Sequence, residues 1–329
     1  MEKLEYWLQW QVLTCALIII LPTAITLIFL RKRGGVHQIE SAADLWAPCW
    51  RNLHPKWLLF YRAFSFAAMA FLLYQTVSSF GLFVFFFYTQ WTFALVMVYF
   101  ALAIIVSIQG CRIHSKKPLA QSQSGERDRF LKKDSEDTIK HETSTVTNSK
   151  EKEGKSFINS AVHNNPASNV QQVGFLENLL LILYAICAGA VMLTDIVFWC
   201  LLLPFMTGEN FKLTLLIGCM HSVNAIFLLI ESALNRMPFR WFGIIYFLLW
   251  SIAYVVFQWV LHACCFTWWP YPFLDLSTPF APLWYLALGL VHVPCYGFYL
   301  LLVKAKHAAF SRMFPHSFLR SNWLHSSSN

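Results

Sequence analysis

Six ionisable side chains lie inside long apolar stretches of this 329-residue sequence, and these positions are the first candidates for chemistry. A charge placed in lipid is costly, so ionisable residues at such positions usually face other helices or a water-filled cavity and often mark functional sites. Hydroxyl and amide groups occur in the same stretches, at Thr92, Asn224 and Gln258. The six ionisable residues are Arg62, Asp195, His221, Glu231, His262 and His292.

Thr92 and His221 are a combination that could support nucleophilic catalysis. A threonine hydroxyl is a weak nucleophile and needs a base to remove its proton, and a neutral histidine can act as that base. By the logic of a catalytic triad, Asp195 or His292 would orient the histidine, and Asn224 would add a hydrogen-bonding group. Each residue also has a structural interpretation, since threonines in membrane helices bond their own backbone and polar side chains bond neighbouring helices.

Four of these residues are expected at a similar depth in a membrane. Counting inward from the ends of the predicted spans, at 1.5 Å per helical residue, places all four roughly 6–17 Å below the outer interface. They come from four different helices, so a shared depth would allow them to meet. The four residues are Thr92, Asp195, His221 and His292.

The fifth predicted span carries its polar residues along one helical face. Residues at i, i+3, i+7 and i+10 are His221, Asn224, Leu228 and Glu231. This spacing places them on one side of a continuous helix, which we expect to face into the bundle. Glu231 lies near the cytosolic end of that span, next to Arg236 and close in depth to Arg62, so we expect it to form a buried ion pair.

The composition indicates that lipid is the solvent of this chain. It is 57% hydrophobic and 13% charged, against about 45–50% and about 25% in soluble domains. Seven stretches reach the length of about 20 apolar residues that a spanning helix needs. They are Tyr6–Leu30, Trp57–Phe80, Tyr88–Cys111, Phe175–Leu203, Phe211–Leu234, Trp241–Phe266 and Ala281–Val303. The sequence therefore predicts an all-α fold, a polytopic transmembrane helix bundle of about seven spans.

Lysine and arginine are concentrated in alternate loops. Loop 31–56 has five, loop 112–174 has eleven, loop 235–240 has two and the tail 304–329 has four, whereas loops 81–87, 204–210 and 267–280 have none. Because basic loops stay in the cytosol, the N-terminus is predicted outside or in the lumen and the C-terminus in the cytosol, in the plasma membrane or the endoplasmic reticulum. These loops account for the net charge of +8, so a nucleic-acid partner is not expected.

The chain is predicted to have four segments. Residues 1–114 contain spans one to three and the cytosolic loop 31–56, and residues 173–303 contain spans four to seven. Between them, residues 115–172 are rich in Lys, Glu, Ser, Asn and Gln. Such a segment buries too little apolar surface to offset chain entropy, so it is predicted to be a disordered cytosolic linker. Residues 304–329 form a cytosolic tail.

The sequence does not predict a metal or a cofactor. Its nine cysteines have no metal-ligand spacing, and most lie in apolar runs as small hydrophobic residues. The loop His262–Pro279 instead concentrates aromatic residues at Trp268, Trp269 and Tyr271. These are typical of an interfacial aromatic belt, and a ligand-stacking platform is the alternative.

The apolar runs resemble the rolling stone family of plant and insect multi-pass membrane proteins, which includes an insect member linked to myoblast fusion. The resemblance covers nearly the whole chain except the 115–172 linker, and its most specific part is the run FYTQWTF at 87–93. The other runs are LHPKWLLFYR (53–62), LTDIVFW (193–199), HSVNAIFLLIE (221–231) and LWYLALGLVHVPCYGFYLL (283–301).

More remotely, the chain resembles the androgen-induced protein family of membrane threonine hydrolases. Those enzymes cleave fatty acid esters of hydroxy fatty acids with an intramembrane threonine and histidine. Thr92-Phe93 following Tyr88, and His221 preceding Glu231, match their pattern. The resemblance implies that Thr92 and His221 are catalytic. The seventh span and the long inserted linker are departures from that family.

Three classes of function remain open at this point. The first is a lipid-ester hydrolase that takes its substrate from the membrane. The second is a non-catalytic scaffold or a cell-contact or fusion factor, whose protein partners the sequence does not indicate. The third is a transporter, because proton relays also use intramembrane Asp and His, although no internal repeat supports it. A G-protein-coupled receptor is disfavoured, since His292-Val293-Pro294 stands where Asn-Pro-x-x-Tyr would be expected.

Overall fold

The computed structural model describes residues 2–33, 43–139, 166–206 and 212–319. Ten α-helices are found in these ranges. They are α1 (Glu2–Trp7), α2 (Trp10–Arg33), α3 (Ala43–Trp46), α4 (Pro55–Phe80), α5 (Tyr88–Ile139), α6 (Pro166–Val197), α7 (Leu215–Met220), α8 (Val223–Leu234), α9 (Ile244–Cys264) and α10 (Ala281–Met313). The shorter helical segments are the 3₁₀ turns Leu82–Phe86, Trp241–Gly243 and Pro272–Leu274 and the π-helix Phe198–Met206. In the described ranges, extended pairing is limited to two isolated bridges.

Seven helices in the described part of the chain are long and apolar enough to cross a membrane, which confirms the predicted fold class. They are Trp10–Lys32, Pro55–Phe80, Tyr88–Ser115, Gly174–Phe205, Leu215–Leu234, Trp241–Cys264 and Ala281–Met313. The first span begins later than predicted because α1 is a separate helix. The fifth span consists of two helices, α7 and α8, rather than one.

Helical structure extends into both ends of the segment predicted to be a linker, and the predicted disorder of that segment stays a prediction. Helix α5 continues to Ile139 and α6 begins at Pro166, so residues 115–139 and 166–172 are helical. Lys, Glu, Gln, Arg and Leu in these flanks are good helix formers, and they extend spans whose helix nucleation is already complete. The middle of the linker, 140–165, lies outside the described residues.

Helix α6 is the centre of the bundle and α2 lies at its edge. In an 18-residue apolar stretch of the α6 span 72% of the residues are buried, against 17% in the corresponding stretch of the α2 span. Helix α6 packs against α5, α8, α9 and α10. Helix α2 leaves large side chains such as Leu13, Leu17 and Leu21 exposed. An exposed apolar surface of this kind on a spanning helix is suited to lipid.

The two ends of the bundle are closed by different segments. At the end that we call the N-terminal face, α1 contacts the end of α9, and Phe83 of the first 3₁₀ turn lies 5.1 Å from the ring of Trp268 in the loop 265–280. At the opposite face, the Cys49 amide donates to Leu234 O at 2.8 Å, and the Leu319 amide donates to Cys49 O at 2.7 Å. These contacts fix the loops that cover each end.

A buried ion pair connects the helices near the opposite face. The Arg62 side chain donates from Nη2 to Glu231 Oε1 at 2.6 Å and from Nε at 3.0 Å, and both side chains are 0% exposed. The same oxygen of Glu231 accepts from Tyr99 at 3.1 Å, and Arg62 also donates to Ser107 Oγ at 2.5 Å. The predicted ion pair of Glu231 is thus confirmed, with Arg62 as the partner. Arg236 pairs instead with Asp44, at 2.5 Å.

Candidate active site

His221 lies at a break between α7 and α8. Its φ of −107° and ψ of 18° end α7, and Ser222 precedes the first residue of α8. The break exposes the His221 carbonyl, which accepts a hydrogen bond from Trp199 Nε1 at 3.0 Å. The prediction of one continuous helix from His221 to Glu231 was therefore wrong at its first residue. Within α8, Asn224 and Glu231 do share a buried face, at 0% exposure each.

The π-helix after α6 places an aromatic ring directly on the His221 imidazole. The rings of Phe198 and His221 are stacked with centroids 3.6 Å apart and planes 2° from parallel. Phe198 is the first residue of the π-helix and Trp199, the donor to the His221 carbonyl, is the second. The wider turn of a π-helix, with its i→i+5 pattern, is a frequent feature of functional sites. Two consecutive aromatic residues thus fix the ring and the backbone of His221.

The imidazole of His221 is buried, and its Nδ1 has no hydrogen-bond partner in the described part of the chain. A buried polar atom without a partner is costly and needs an explanation. His221 lies on the wall of two adjoining cavities. A free imidazole nitrogen beside a cavity is available to a bound molecule.

Thr92 is fully buried and contacts a second threonine. Thr194 Oγ1, on α6, lies 3.3 Å from Thr92 Oγ1 and 2.6 Å from the Ala190 carbonyl. A hydroxyl has one hydrogen, so the bonds from Thr194 to Ala190 and to Thr92 share one donor, and the longer bond, which Thr92 accepts, is the weaker. Thr92 itself is not on the wall of the described cavities, whereas Thr194 is.

The start of α5, which carries Thr92, is held by the loop at the N-terminal face. The Tyr88 amide, an N-terminal donor without a partner in its own helix, donates to the Tyr271 hydroxyl at 3.1 Å. Burial raises the pKa of Tyr271 to about 12, so this hydroxyl stays neutral near pH 7. The Tyr88 side chain is fixed by Ser251 of α9, with 2.8 Å between their hydroxyl oxygens.

Three adjoining cavities cross the bundle beneath the N-terminal face. The central one, of about 90 Å³, is bordered by Thr194, His221 and His292. A larger cavity of about 510 Å³ lies between α4, α5, the π-helix and α7, and shares His221 and Tyr271 with the central one. A third, of about 390 Å³, lies between α2, α9 and α10 and shares His292 with it. The walls are mainly apolar, as in pockets for lipid-like molecules.

His292 is part of the same cavity wall but makes no hydrogen bond to His221. Its Nδ1 lies 2.6 Å from the Leu288 carbonyl, so Nδ1 carries the hydrogen and Nε2 is the acceptor. In the described ranges Nε2 has no partner. The Phe247 ring packs on His292 with centroids 4.6 Å apart, and Gly189 of α6 leaves the space that this ring occupies.

The other two candidates are placed differently. Asp195 is half-buried, and its Oδ1 has no hydrogen-bond partner among the described residues. It borders none of the cavities described above. Asn224 is fully buried and its Oδ1 accepts from the Ala225 amide at 2.9 Å, which stabilises the first turn of α8. Neither residue hydrogen-bonds to His221.

Thr194 and the residues that hold His221 were not among the site residues predicted from the sequence. Thr194 precedes Asp195, and on a helix consecutive side chains point about 100° apart. The more conspicuous Asp195 therefore faces partly outward while Thr194 contacts Thr92. Phe198 and Trp199 could be seen only as two more apolar residues of the span. Across the described ranges, no three His, Cys, Asp or Glu side chains come together as metal ligands.

Comparison of the chain with protein-family models, curated proteins and solved structures found no match. The resemblance to the rolling stone and androgen-induced protein families therefore stays a prediction from the residues quoted above. The architecture stands independently of it. The protein is a multi-pass integral membrane protein whose seven-span helix bundle contains a cavity bordered by histidine and threonine.

Proposed function

We propose that the protein is an intramembrane hydrolase of lipid esters, with Thr92 as the nucleophile and His221 as the general base. One observation carries this proposal: the unpartnered Nδ1 of His221 on the wall of an apolar cavity that also borders Thr194, the hydrogen-bond partner of Thr92. A hydrolase of membrane lipids needs a nucleophile, a base and an apolar route for its substrate, and residues suited to each lie in this region.

The proposed reaction proceeds in two steps. In the first, the Thr92 hydroxyl loses its proton to His221 and its oxygen forms a bond to the ester carbonyl carbon. The bond to the alcohol oxygen breaks, and the protonated histidine returns the proton to that oxygen. In the second step, water attacks the threonyl ester with His221 again accepting a proton, which releases the carboxylic acid and restores the Thr92 hydroxyl.

Access to Thr92 requires a local rearrangement. Thr92 is 0% exposed, so an ester in the cavity meets Thr194 first. We infer that the substrate displaces the Thr194 hydroxyl from Thr92, since this contact is long, at 3.3 Å, and the bond of Thr194 to Ala190 is the stronger of its two. A rotation of the Thr92 side chain into the space opened in this way would bring its oxygen to the cavity.

The route of the substrate follows from the proposed orientation. The basic loops support placing the N-terminal face outside the cytosol, in the plasma membrane or the endoplasmic reticulum. The cavities would then open toward the leaflet distant from the cytosol. A lipid ester would reach them sideways, between α4 and α7 or between α2 and α10, without passing through water.

A second candidate function is supported by the burial of Thr92. A lipid-binding protein without catalysis, such as a scaffold or a cell-contact factor, would also use apolar cavities, and it would have no need to expose a nucleophile. In that case Thr92 and Thr194 would connect α5 and α6 by a hydrogen bond, an interaction that averages about 0.6 kcal/mol in membrane proteins. The two functions differ in whether lipid esters are turned over.

Hydrolysis of lipid esters by the purified protein tests the proposal. The full chain is reconstituted in vesicles that contain a hydroxy-fatty-acid ester, and the released fatty acid is measured. Thr92→Ala and His221→Ala should each abolish release, because they remove the nucleophile or its base, and Thr92→Ser should retain a fraction of it. Thr194→Val should change the rate without abolishing it.

Thr26→Ala is a matched control. Thr26 is a similarly buried threonine on α2 whose hydroxyl donates to the Pro22 carbonyl of its own helix. It is not a lining residue of any of the three cavities. Its loss should leave release unchanged. Absence of turnover by the wild type across a panel of lipid esters, with lipid still bound, would favour the non-catalytic function.

A further inference from the structure

A separate pocket lies at the N-terminal face and shares no lining residue with the three cavities. Its volume is about 340 Å³, within the usual range for small-ligand sites of about 300–1,000 Å³. It is formed by α1, by the end of α9 and by the loop 265–280. Its lining residues include Tyr6, Trp7, His262, Trp269 and Asp275. Four rings and one carboxylate thus enclose a space at the edge of the membrane-spanning bundle.

The rings of this pocket hold one another in place. The imidazole of His262 stacks on Trp269 with centroids 4.2 Å apart and planes 15° from parallel. Tyr6 lies 5.3 Å from the same imidazole and Trp7 lies 6.1 Å from it. Trp7 is also packed against Trp259 of α9, at 5.9 Å. Three aromatic rings thus pack around the His262 imidazole at the wall of the pocket.

Asp275 supplies negative charge to the same pocket. Its Oδ1 accepts from the Ser277 amide at 2.9 Å and from the Ser277 hydroxyl at 2.8 Å. These bonds fix the carboxylate, and neither bond brings it a positive charge. Both ion pairs found among the described residues involve other acids, and loop 267–280 contains neither Lys nor Arg.

We propose that this pocket binds a quaternary ammonium group, through the aromatic rings of Tyr6, Trp7 and Trp269 that line it and the charge of Asp275. Aromatic faces attract cations through their negative quadrupole, and cages of this type recognise choline and methylated amines. A carboxylate adds a charge that a neutral apolar ligand could not use. The ammonium would come from the headgroup of a choline lipid in the adjacent leaflet or from a free choline compound in solution.

Choline chloride is the first probe, and its neutral carbon isostere, dimethylbutanol, is the control ligand. Binding to the full-length protein in micelles is followed by calorimetry. We expect choline to bind at least tenfold more tightly, because the two molecules have nearly the same shape and differ in charge. Equal affinities would overturn the proposal.

Matched variants locate the binding. Trp269→Ala removes one wall and should weaken choline binding by about 5- to 30-fold, the equivalent of about 1–2 kcal/mol for a cation–π contact, with partial recovery in Trp269→Phe. Asp275→Asn should weaken it comparably, and its amide oxygen can still accept both bonds from Ser277, so the loop is preserved. Trp268→Ala and Glu5→Gln are controls outside the pocket. Unchanged affinity in Asp275→Asn would contradict the assignment.

Lipid retention, measured beside choline binding, distinguishes the two sources of the ammonium group. Nanodiscs that contain phosphatidylcholine or phosphatidylethanolamine are prepared with the same protein, and the lipid retained after extraction is identified by native mass spectrometry. Selective retention of phosphatidylcholine, lost in Asp275→Asn, assigns the pocket to a lipid headgroup. Choline binding without such retention assigns it to a soluble choline compound. If the protein neither binds choline nor selectively retains phosphatidylcholine, the proposal is refuted.

Discussion

Replacing Arg62 by methionine should destabilise the bundle by about 3–5 kcal/mol, because it leaves a buried carboxylate without its counter-charge. Both side chains of the pair are 0% exposed, and Arg62 donates to Glu231 Oε1 at 2.6 and 3.0 Å. In the variant, Glu231 would keep bonds from Tyr99 at 3.1 Å and from Asn235 at 3.2 Å, which do not carry a positive charge.

Removing both charges of the pair should cost less than the two single substitutions together. Glu231→Gln alone should also destabilise the protein, since it leaves the Arg62 guanidinium unpaired. The double variant Arg62→Met/Glu231→Gln removes both charges. Its destabilisation should be smaller than the sum of the single effects by about 0.5–3 kcal/mol, the usual coupling between residues in contact.

The assay is the reversible unfolding of the purified protein in mixed micelles, followed by tryptophan fluorescence. A loss below about 1 kcal/mol for Arg62→Met, or strictly additive single effects, would show that the two charges are not coupled in the core, because that is the behaviour of a solvated surface pair. The pair lies at the other end of α8 from His221. Each variant should therefore keep the wild-type rate of the proposed ester hydrolysis per folded molecule.

Three further predictions concern the site and the orientation. Phe198→Leu removes the stacked ring and should slow ester hydrolysis several-fold at nearly unchanged expression, which a rate measurement on the vesicles checks. Gly189→Ala should cost about 1–3 kcal/mol in an unfolding titration, because its Cβ would overlap the Phe247 ring, whereas Gly289→Ala, which meets open space, should be nearly neutral. Glycosylation acceptor sites placed in loop 267–280 should be modified in microsomes and sites in the predicted cytosolic linker should not, and the reverse pattern would overturn the orientation.

The number of spans was predictable because the membrane sets a length that each apolar stretch must satisfy. The ion pair of Glu231 was predictable for a similar reason, since a carboxylate in lipid needs a partner. The choice of Arg62 over Arg236 was not, because it depends on how α4 and α8 pack. Arg236 is the nearer residue in sequence, yet it pairs with Asp44 of α3.

The details of the site depend on irregular backbone that periodicity cannot predict. The α7–α8 break at His221 has only Gly218 and Ser222 as local signals, and neither residue is decisive in a membrane helix. The π-helix that places Phe198 on His221 contains Pro204, which cannot donate a backbone hydrogen bond, but a proline alone does not specify a π-helix. Thr194 was overlooked because the adjacent Asp195 carries the more conspicuous group, although the packing of α5 against α6 selects the threonine.

In the proposed function, Thr92 is a nucleophile activated by His221. The most direct measurement is peptide mass spectrometry of the wild-type protein after reaction with a fluorophosphonate probe. We expect a covalent adduct on Thr92, absent from His221→Ala and present at a reduced level on the serine of Thr92→Ser. An adduct on Thr194 or elsewhere, or no adduct while the protein is folded and its lipid esters are accessible, would contradict it.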